Sequence, residues 1–491
     1  MPTVEFKMKR NLVSNCCLTR LGLVAVACWL VQPAPAATPP SPDQRVNFHK
    51  HLVLDARVIA ETNNVHLTLG RVEKEPRNPL FQADRLYENA LNNLYPNVCY
   101  DSDARLVKLW YKDMIPDRDI VDKMMPPRIV IHTGWLLLYA TSRDGLRWEK
   151  PNLGLYGFDG STSNNIVMRD TANTGVFKDV YDPDPQRRYK MVYDLGRGHL
   201  RVRFSADGLR WSDEAVPAIV GAVGDTHNNA FYDPRAGKYV LITRLFEGER
   251  KVARSESRDF INWTDAKVVM ESLPGEKGKR QTYCMPAFAY ANCYLGFLML
   301  INTGSDNSVD CELTWSPDTV TWHRVNPGAP LIPRGPKGSY DAGCIYGPAG
   351  GPILKDGKLW ILYGGSEVFH VGTKRHCLPC WAYLRADGFA GYEPASPGGK
   401  GAVVTQPLRC TGEPLRVSVD AKGGSLRVAV LDETGFELDR CQAITADVTD
   451  AEVKWKSGKR FASLEGKTVR LQFELKAAKL YAFGGVELLE E

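Results

Sequence analysis

SRDGLRW at residues 142–148 returns almost letter for letter as SADGLRW at 205–211. Weaker copies follow: SRDFINW at 257–263, SPDTVTW at 316–322 and RADGFAGY at 385–392. The shared aspartates are Asp144, Asp207, Asp259, Asp318 and Asp387, so the spacings are 63, 52, 59 and 69 residues. One phrase recurring at irregular intervals of that size marks a repeat architecture whose units carry insertions of different length. In physical terms Asp-Gly makes a tight turn, the Ser and Asp side chains cap its backbone, and the Trp starts the next strand.

A second phrase precedes each copy, a hairpin between aromatic or aliphatic strands. It reads VCYDSDARLVKLWY (98–111), VYDPDPQRRYKMVY (180–193), FYDPRAGKYVLI (231–242), FAYANCYLGFLML (288–300) and ILKDGKLWILY (353–363). Each unit therefore reads strand, hairpin, strand, return strand, SxDG turn, outer strand. Four strands repeated five times predict an all-β chain built as a five-bladed β-propeller. A single large β-sandwich is the alternative, disfavoured because two independent phrases recur in the same phase.

Length sets the outer bounds. A chain of 491 residues exceeds one ordinary domain. Hydrophobic content of 44%, charged content of 24% and 43 glycines fit a turn-rich globular protein. A net charge of +5 is too diffuse over this length to favour a nucleic-acid partner. Lys7, Lys9, Arg10 and Arg20 precede the apolar run LGLVAVACWLV (21–31), and APA (34–36) offers a cleavage site. The run is too short for a bilayer, so residues 1–36 read as a secretory signal peptide, with no membrane span in the mature chain and a secreted or periplasmic location.

The propeller is expected over 37–400, with HLVLDARVI (51–59) closing the ring or covering its underside. YEPASPGGKGAVVTQP (392–407) reads as a Pro/Gly linker, and short alternating strands over 401–491 read as a small β-sandwich. Nine cysteines remain outside the leader. Cys377 and Cys380 in HCLPC read as a local disulfide or two packed thiols; the order of residues excludes CxxCH haem attachment.

A propeller's innermost strands start at its axis, so the residues just before them line a common funnel. The leads are Glu88, Asn89, Asn93 and Asn97 in the first unit, and Asn164, Asn165, Lys178 and Asp179 in the second. The third offers Asp225, His227, Asn228 and Asn229, and the fourth only Gln281 and Tyr283. The fifth offers Arg334, Tyr340 and Asp341, with Glu367 and His370 in a later loop. Glycosidic cleavage needs two carboxyls flanking the bond, one as acid and one as nucleophile or base. Asp225, Asp341 and Glu88 are the catalytic candidates, and His227, Asn228, Tyr340, Lys178, Arg334, Glu367 and His370 the substrate-binding ones. The competing reading makes Asp225 and Asp341 turn caps and Glu88 part of a solvated face. Asp144, Asp207, Asp259 and Asp318 read as structural, and Trp148, Trp211, Trp263 and Trp322 as packing between units. No GxSxG, HExxH, Walker or GxGxxG phrase occurs in a fitting context, and no zinc-ligand spacing, so neither cofactor nor metal is expected.

SRDGLRWEKPNLGLYGFDGSTSNNIV (142–167), GDTHNNAFYDPRAGKYVL (224–241), RSESRDFINW (254–263) and PLRCTGEPLRVSVDAKGGSLRVAVLDETG (407–435) resemble a group of exported bacterial proteins. That group is described as similar to the N-terminal domain of glycoside hydrolase family 32, and the resemblance covers nearly all of the chain beyond the leader. It implies the five-bladed hydrolase architecture of families 32, 43, 62 and 68, a following β-sandwich and a carbohydrate substrate. The family 32 phrases NDPNG, RDP and EC are missing, so its catalytic residues are not carried over. The expectation is an exported glycoside hydrolase acting on a polysaccharide or oligosaccharide. Its rivals are a non-catalytic carbohydrate-binding propeller and a protein-interaction propeller.

Overall fold

The computed structural model describes residues 46–489, apart from 89, 116, 125–133, 195–199, 214, 220, 221 and 223. The expected leader and Asn89 lie outside the described residues. Pro39–Glu491 forms one compact unit. It is nearly all β: among the described residues one short α-helix, Arg118–Met124, accompanies three single 3-10 turns.

Four-stranded antiparallel meanders recur along the chain. The first comprises Asn97–Asp101, Leu106–Met114, Trp135–Ser142 and Ile166–Arg169. The second runs Ala172–Lys178, Tyr189–Asp194, Leu200–Ser205 and Ala215–Ile219, and the third Asn229–Asp233, Lys238–Glu247, Glu249–Ser257 and Lys267–Met270. In the fourth unit the innermost strand is split, Gln281–Cys284 and Ala287–Tyr290 both pairing with Cys293–Ile301. Val309–Ser316 and His323–Arg324 complete it. The fifth is split likewise, Cys344–Tyr346 and Ile353–Lys355 both pairing with Lys358–Ser366.

The strands read as near-continuous apolar runs because both faces are buried. On Tyr189–Asp194, alternate residues Tyr189, Met191 and Tyr193 pack with Trp110 and Tyr139 of the first unit. Val192, on the opposite face, packs with Tyr239 and Leu241 of the third. Val240 and Ile242, the interleaved residues of that next strand, pack instead with Met285 and Leu298 of the fourth. Each middle strand thus spends its two side-chain directions on two different neighbours.

The SxDG turns are the joints. In each of four copies the Asp Oδ1 accepts two backbone N–H groups at 2.7–2.8 Å, and the Ser hydroxyl accepts a third at 2.8–2.9 Å. Every turn also receives a donor from the unit before it. Trp110 Nε1 donates to the Gly208 carbonyl, Arg187 to that of Asp259, Arg254 to the Thr319 hydroxyl and the Tyr290 hydroxyl to Asp387. Trp381 of the fifth unit donates to Gly145 of the first at 2.6 Å. The turn tryptophans mostly bond inside their own turn, as Trp148 does to the Gly145 carbonyl.

The N-terminal segment departs from expectation. In HLVLDARVI, Lys50–Leu52 pairs with Lys479–Gly484 and Val53 and Val58 enter the apolar core of the C-terminal strands, while Leu52 and Leu54 pack in the core of the repeated units and Asp55 accepts from Asn292 of the fourth. Ile59–Asn63 pairs with Lys400–Thr405, and Val65–Leu69 with Ala390–Pro394. Strands therefore form inside the stretch expected to be a linker, and sheets combine residues from both sides of 400. The fourth strand of the fifth unit is Glu73–Lys74, pairing with Leu378–Arg385. Among the C-terminal strands, Asp447–Glu452 is followed by Trp455, which makes an isolated bridge to Cys441.

Candidate functional site

The inner strands of the five units begin around one cluster of aromatic and charged side chains. Asn97, at the head of the first inner strand, donates to the Thr174 carbonyl and accepts from Val176 N–H, tying the first unit to the second. Asn228 N–H reaches the Asn173 carbonyl, and Asn229 accepts from Ala287 N–H, repeating the stitch from unit to unit. Gly175 is needed here, because a Cβ would sit 1.6 Å from the Asn228 carbonyl oxygen.

Tyr95 stacks on His227 with centroids 4.8 Å apart, and its hydroxyl is 2.9 Å from that of Tyr283. Tyr283 meets His370 edge-on at 4.7 Å, and the Tyr346 hydroxyl lies 2.7 Å from His370 Nδ1. Cations surround these rings. Lys112 Nζ lies over Tyr95 at 4.5 Å and Trp135 at 4.0 Å, and donates to Asn173. Arg244 stacks on Tyr283 at 4.8 Å, and Arg375 donates to Asn93.

Asp225 is the carboxylate open to solvent, with a side chain 72% exposed and Arg244 Nη1 at 3.5 Å. Asn173 Nδ2 lies 3.4 Å from Asp225 Oδ1 and equally 3.4 Å from Asp194 Oδ2. The two carboxylate oxygens are thus no more than twice that distance apart. Paired glycosidase carboxyls stand about 5–5.5 Å or roughly 6.5–9.5 Å apart, so this spacing is compatible with either arrangement.

The other expected carboxylates are engaged elsewhere. Asp341 is buried against Lys74 Nζ at 2.5 Å and accepts from Tyr363 and Ser339 hydroxyls. Glu88, its side chain wholly enclosed, accepts from Lys150 at 2.7 Å, from the Tyr111 hydroxyl and from the Asp84 and Arg85 amides. Neither shares a partner with Asp225. Glu367 is exposed on its loop. Lys178 pairs with Asp101, Arg334 with Asp310, and Tyr340 bonds Asn78 and Tyr363. Asn228 is saturated: it donates to the Asn173 and Gly224 carbonyls and accepts from Thr243. Of the expected binding residues, His227 and His370 join Asp225 at the cluster.

Both histidines are held neutral. Burial, with Lys112 adding to it, pushes His227 down to about 3. Burial and then the charges of Arg375, Arg250, Arg244 and Lys112 push His370 down to about 2. Neither is a proton acceptor near neutral pH. Next to Lys112 on its strand, Asp113 faces the opposite side, accepts from the Ala90 and Met114 amides, and is pushed up to about 7, mainly by burial. Lys112, Asp194, Arg244, Arg250 and Arg375 were not foreseen from the sequence. A usable signal exists for two of them: Arg244, Phe246 and Arg250 fall on one face of the hairpin, since Phe246 and Arg250 are direct partners.

Among the described residues no group of three His, Cys, Asp or Glu is placed to hold a metal, and no helix is long and apolar enough to cross a membrane. The nine cysteines are free thiols, so Cys377 and Cys380 are packed, not bridged. A separate cleft of about 690 Å³ opens among the C-terminal strands. Its charges are of both signs and partly pair, as Lys50 with Asp450 and Arg409 with Glu487, which leaves it without the hub's focused charge.

No family model and no curated protein sequence matches this chain. Solved structures similar to it include an N-acetylgalactosamine deacetylase from F. plautii in complex with blood group B trisaccharide, 17% identical, covering 66% of this chain and 95% of its own, with a TM-score of 0.42. A putative glycoside hydrolase from Parabacteroides distasonis is 16% identical, over 64% of this chain and 97% of its own, with a TM-score of 0.43. The catalytic domain of a Coprinopsis cinerea family 62 α-L-arabinofuranosidase is 14% identical, with the same coverages and a TM-score of 0.44.

Proposed function

We propose that the chain is an exported, five-bladed β-propeller glycosidase with an accessory C-terminal β-sandwich, acting on a polysaccharide or its oligosaccharides at the hub. Support for the ring is the cyclic set of turn contacts, in which the fifth unit returns to the first through Trp381 and Gly145. Export rests on the leader read in residues 1–36. The single observation that carries the chemistry is the pair Asp225 and Asp194, held on either side of Asn173 Nδ2. It replaces Asp341 and Glu88, whose charges are consumed by Lys74 and Lys150.

In this reading one carboxyl protonates the leaving glycosidic oxygen, and the other attacks the anomeric carbon or activates water. Asp225, exposed beside Arg244, is the member that substrate reaches directly. Trp135, part-exposed at the cluster, supplies flat apolar surface for a sugar ring, while the buried Tyr95 and Tyr283 brace the charged groups around it. Asp225→Asn is expected to lower reducing-sugar release on a panel of plant and algal polysaccharides by about a hundredfold or more, with melting temperature retained. Unchanged release in Asp225→Asn and in Asp194→Asn would sink the assignment.

A second reading is favoured by one observation: of the two carboxylates flanking Asn173, Asp225 is exposed and Asp194 is buried. A propeller that binds sugar without cleaving it meets that description, and saccharide binding with no product from any tested glycan would select it.

A further inference from the structure

The hub holds more positive charge than its own carboxylates balance. Arg244 and Arg250 come from one face of the third unit's long hairpin, Lys112 from the first unit and Arg375 from the loop between the fifth unit's middle strands. They converge: Arg244 and Arg250 lie 4.8 and 6.0 Å from the Tyr283 ring, which His370 meets at 4.7 Å. All four charges act on the His370 imidazole.

Their protein partners are mostly neutral. Arg250 donates to Gln281, Arg375 to Asn93 and the Gly372 carbonyl, and Lys112 to Asn173. Arg244 has the Tyr283 carbonyl and, at 3.5 Å, Asp225. The Nε of Arg244 and of Arg375 have no acceptor among the described residues, although these residues are only 3% and 9% exposed. A buried charged donor left without an acceptor is costly, and a ligand oxygen removes that cost. A planar guanidinium fork matches an oxyanion better than it matches a hydroxyl. Phe246, on the hairpin face of Arg244 and Arg250, is 57% exposed, and Phe369, next to His370 in the chain, 40%.

We infer that the hub ligand carries an oxyanion (carboxylate, sulfate or phosphate) seated between Arg244, Arg250 and Arg375. The inference rests on the hub being the saccharide site proposed above, and names the class of saccharide: an acidic one, unless the anion arrives separately as free phosphate.

Calorimetric titration of the full protein at fixed ionic strength separates these sources. The probes are glucuronate, galacturonate, their neutral parents glucose and galactose, inorganic phosphate and inorganic sulfate. At least tenfold tighter binding of a uronate than of its neutral parent is expected for a sugar-borne anion; tight binding of inorganic phosphate or sulfate without a uronate preference identifies a free one. Arg250→Gln, at a half-buried position that leaves the fold intact, should lower anion affinity at least tenfold, and Arg375→Gln similarly. Equal affinity for charged and neutral sugars with no phosphate or sulfate binding, or anion affinity indifferent to Arg250→Gln, overturns the inference. Anion binding without cleavage of any glycan keeps it and removes the glycosidase reading. Cleavage of neutral oligosaccharides without anion binding does the reverse.

Discussion

Lys112 and Asp113 are neighbours in sequence and opposites in surroundings. Strand alternation sends Lys112 to the hub rings and Asp113 to the amides of Ala90 and Met114. Burial pushes the Asp113 carboxyl up to about 7 and the Lys112 ammonium down to about 7, the latter opposed by Asp225 and reinforced by Arg375. Between the ordinary aspartate value of 3.8 and about 7, the folded chain keeps a proton on Asp113 that the unfolded chain releases, so this contribution to stability is lost as pH rises. For Lys112 the sign reverses: from about 7 to the ordinary 10.5 the unfolded chain holds the extra proton, and stability recovers. Asp113→Asn should therefore melt higher than the parent at pH 8 and equally at pH 4, read by calorimetry across that range; a gap independent of pH would refute the assignment. Anion affinity should also fall as pH rises through about 7, because Lys112 loses its charge there. The placement of Asp225 at the cluster was legible because GDTH precedes an inner strand. The ion pairs of Asp341 and Glu88 were not legible, because Lys74 and Lys150 lie 267 and 62 residues away, distances across which no local pattern speaks. Lys112 and Arg244 were hidden by position: mid-strand polar residues look like solvent-facing alternation until the neighbouring units are in place.

At the scale of the element, the SxDG turn carries the most information per residue. Its Asp and Ser side chains satisfy three backbone N–H groups within the turn, which is why the phrase survives in four copies while the residues between them change. Position four of the phrase has φ of +79° at Gly208 and +85° at Gly145, yet Phe260 and Thr319 adopt +66° and +68°. The capping bonds hold those two residues in a left-handed conformation that costs a non-glycine residue about 1–2 kcal/mol. Asp207→Ala should destabilise by about 1–2 kcal/mol in urea titration, since two amides lose their acceptor. Gly208→Ala should cost at least as much, because its Cβ would lie 2.5 Å from the Trp110 ring that docks there. An Asp207→Ala protein as stable as the parent would mean that water replaces the side chain, and that the phrase is kept for some reason other than stability.

The whole molecule is tied together by its first described strands, the part least legible in sequence. Glu73–Lys74 is two residues long, too short for any alternation, and Lys400–Thr405 sits in a stretch whose glycines and prolines read as linker. The repeat phrases carry no information about which distant strand fills an edge, so the recurring hairpins and turns were readable and the edge strand was not. Glu73–Lys74 supplies the fifth unit's outer strand, while Lys50–Leu52 and Ile59–Asn63, a few residues earlier, lie in the C-terminal sheets. Lys50 adds a 3.1 Å ion pair to Asp387 in the fifth turn, and Ser418 of the C-terminal strands donates to the same carboxylate. One N-terminal segment thus spans both halves, and Val65–Leu69 pairs with Ala390–Pro394 immediately before the exposed loop 395–398. A protease cut engineered into that loop, after residue 397, should leave two fragments that migrate together in size exclusion and separate only in denaturant. Fragments that part in plain buffer would show that strand exchange across position 400 contributes little, and that the two halves are independent domains after all.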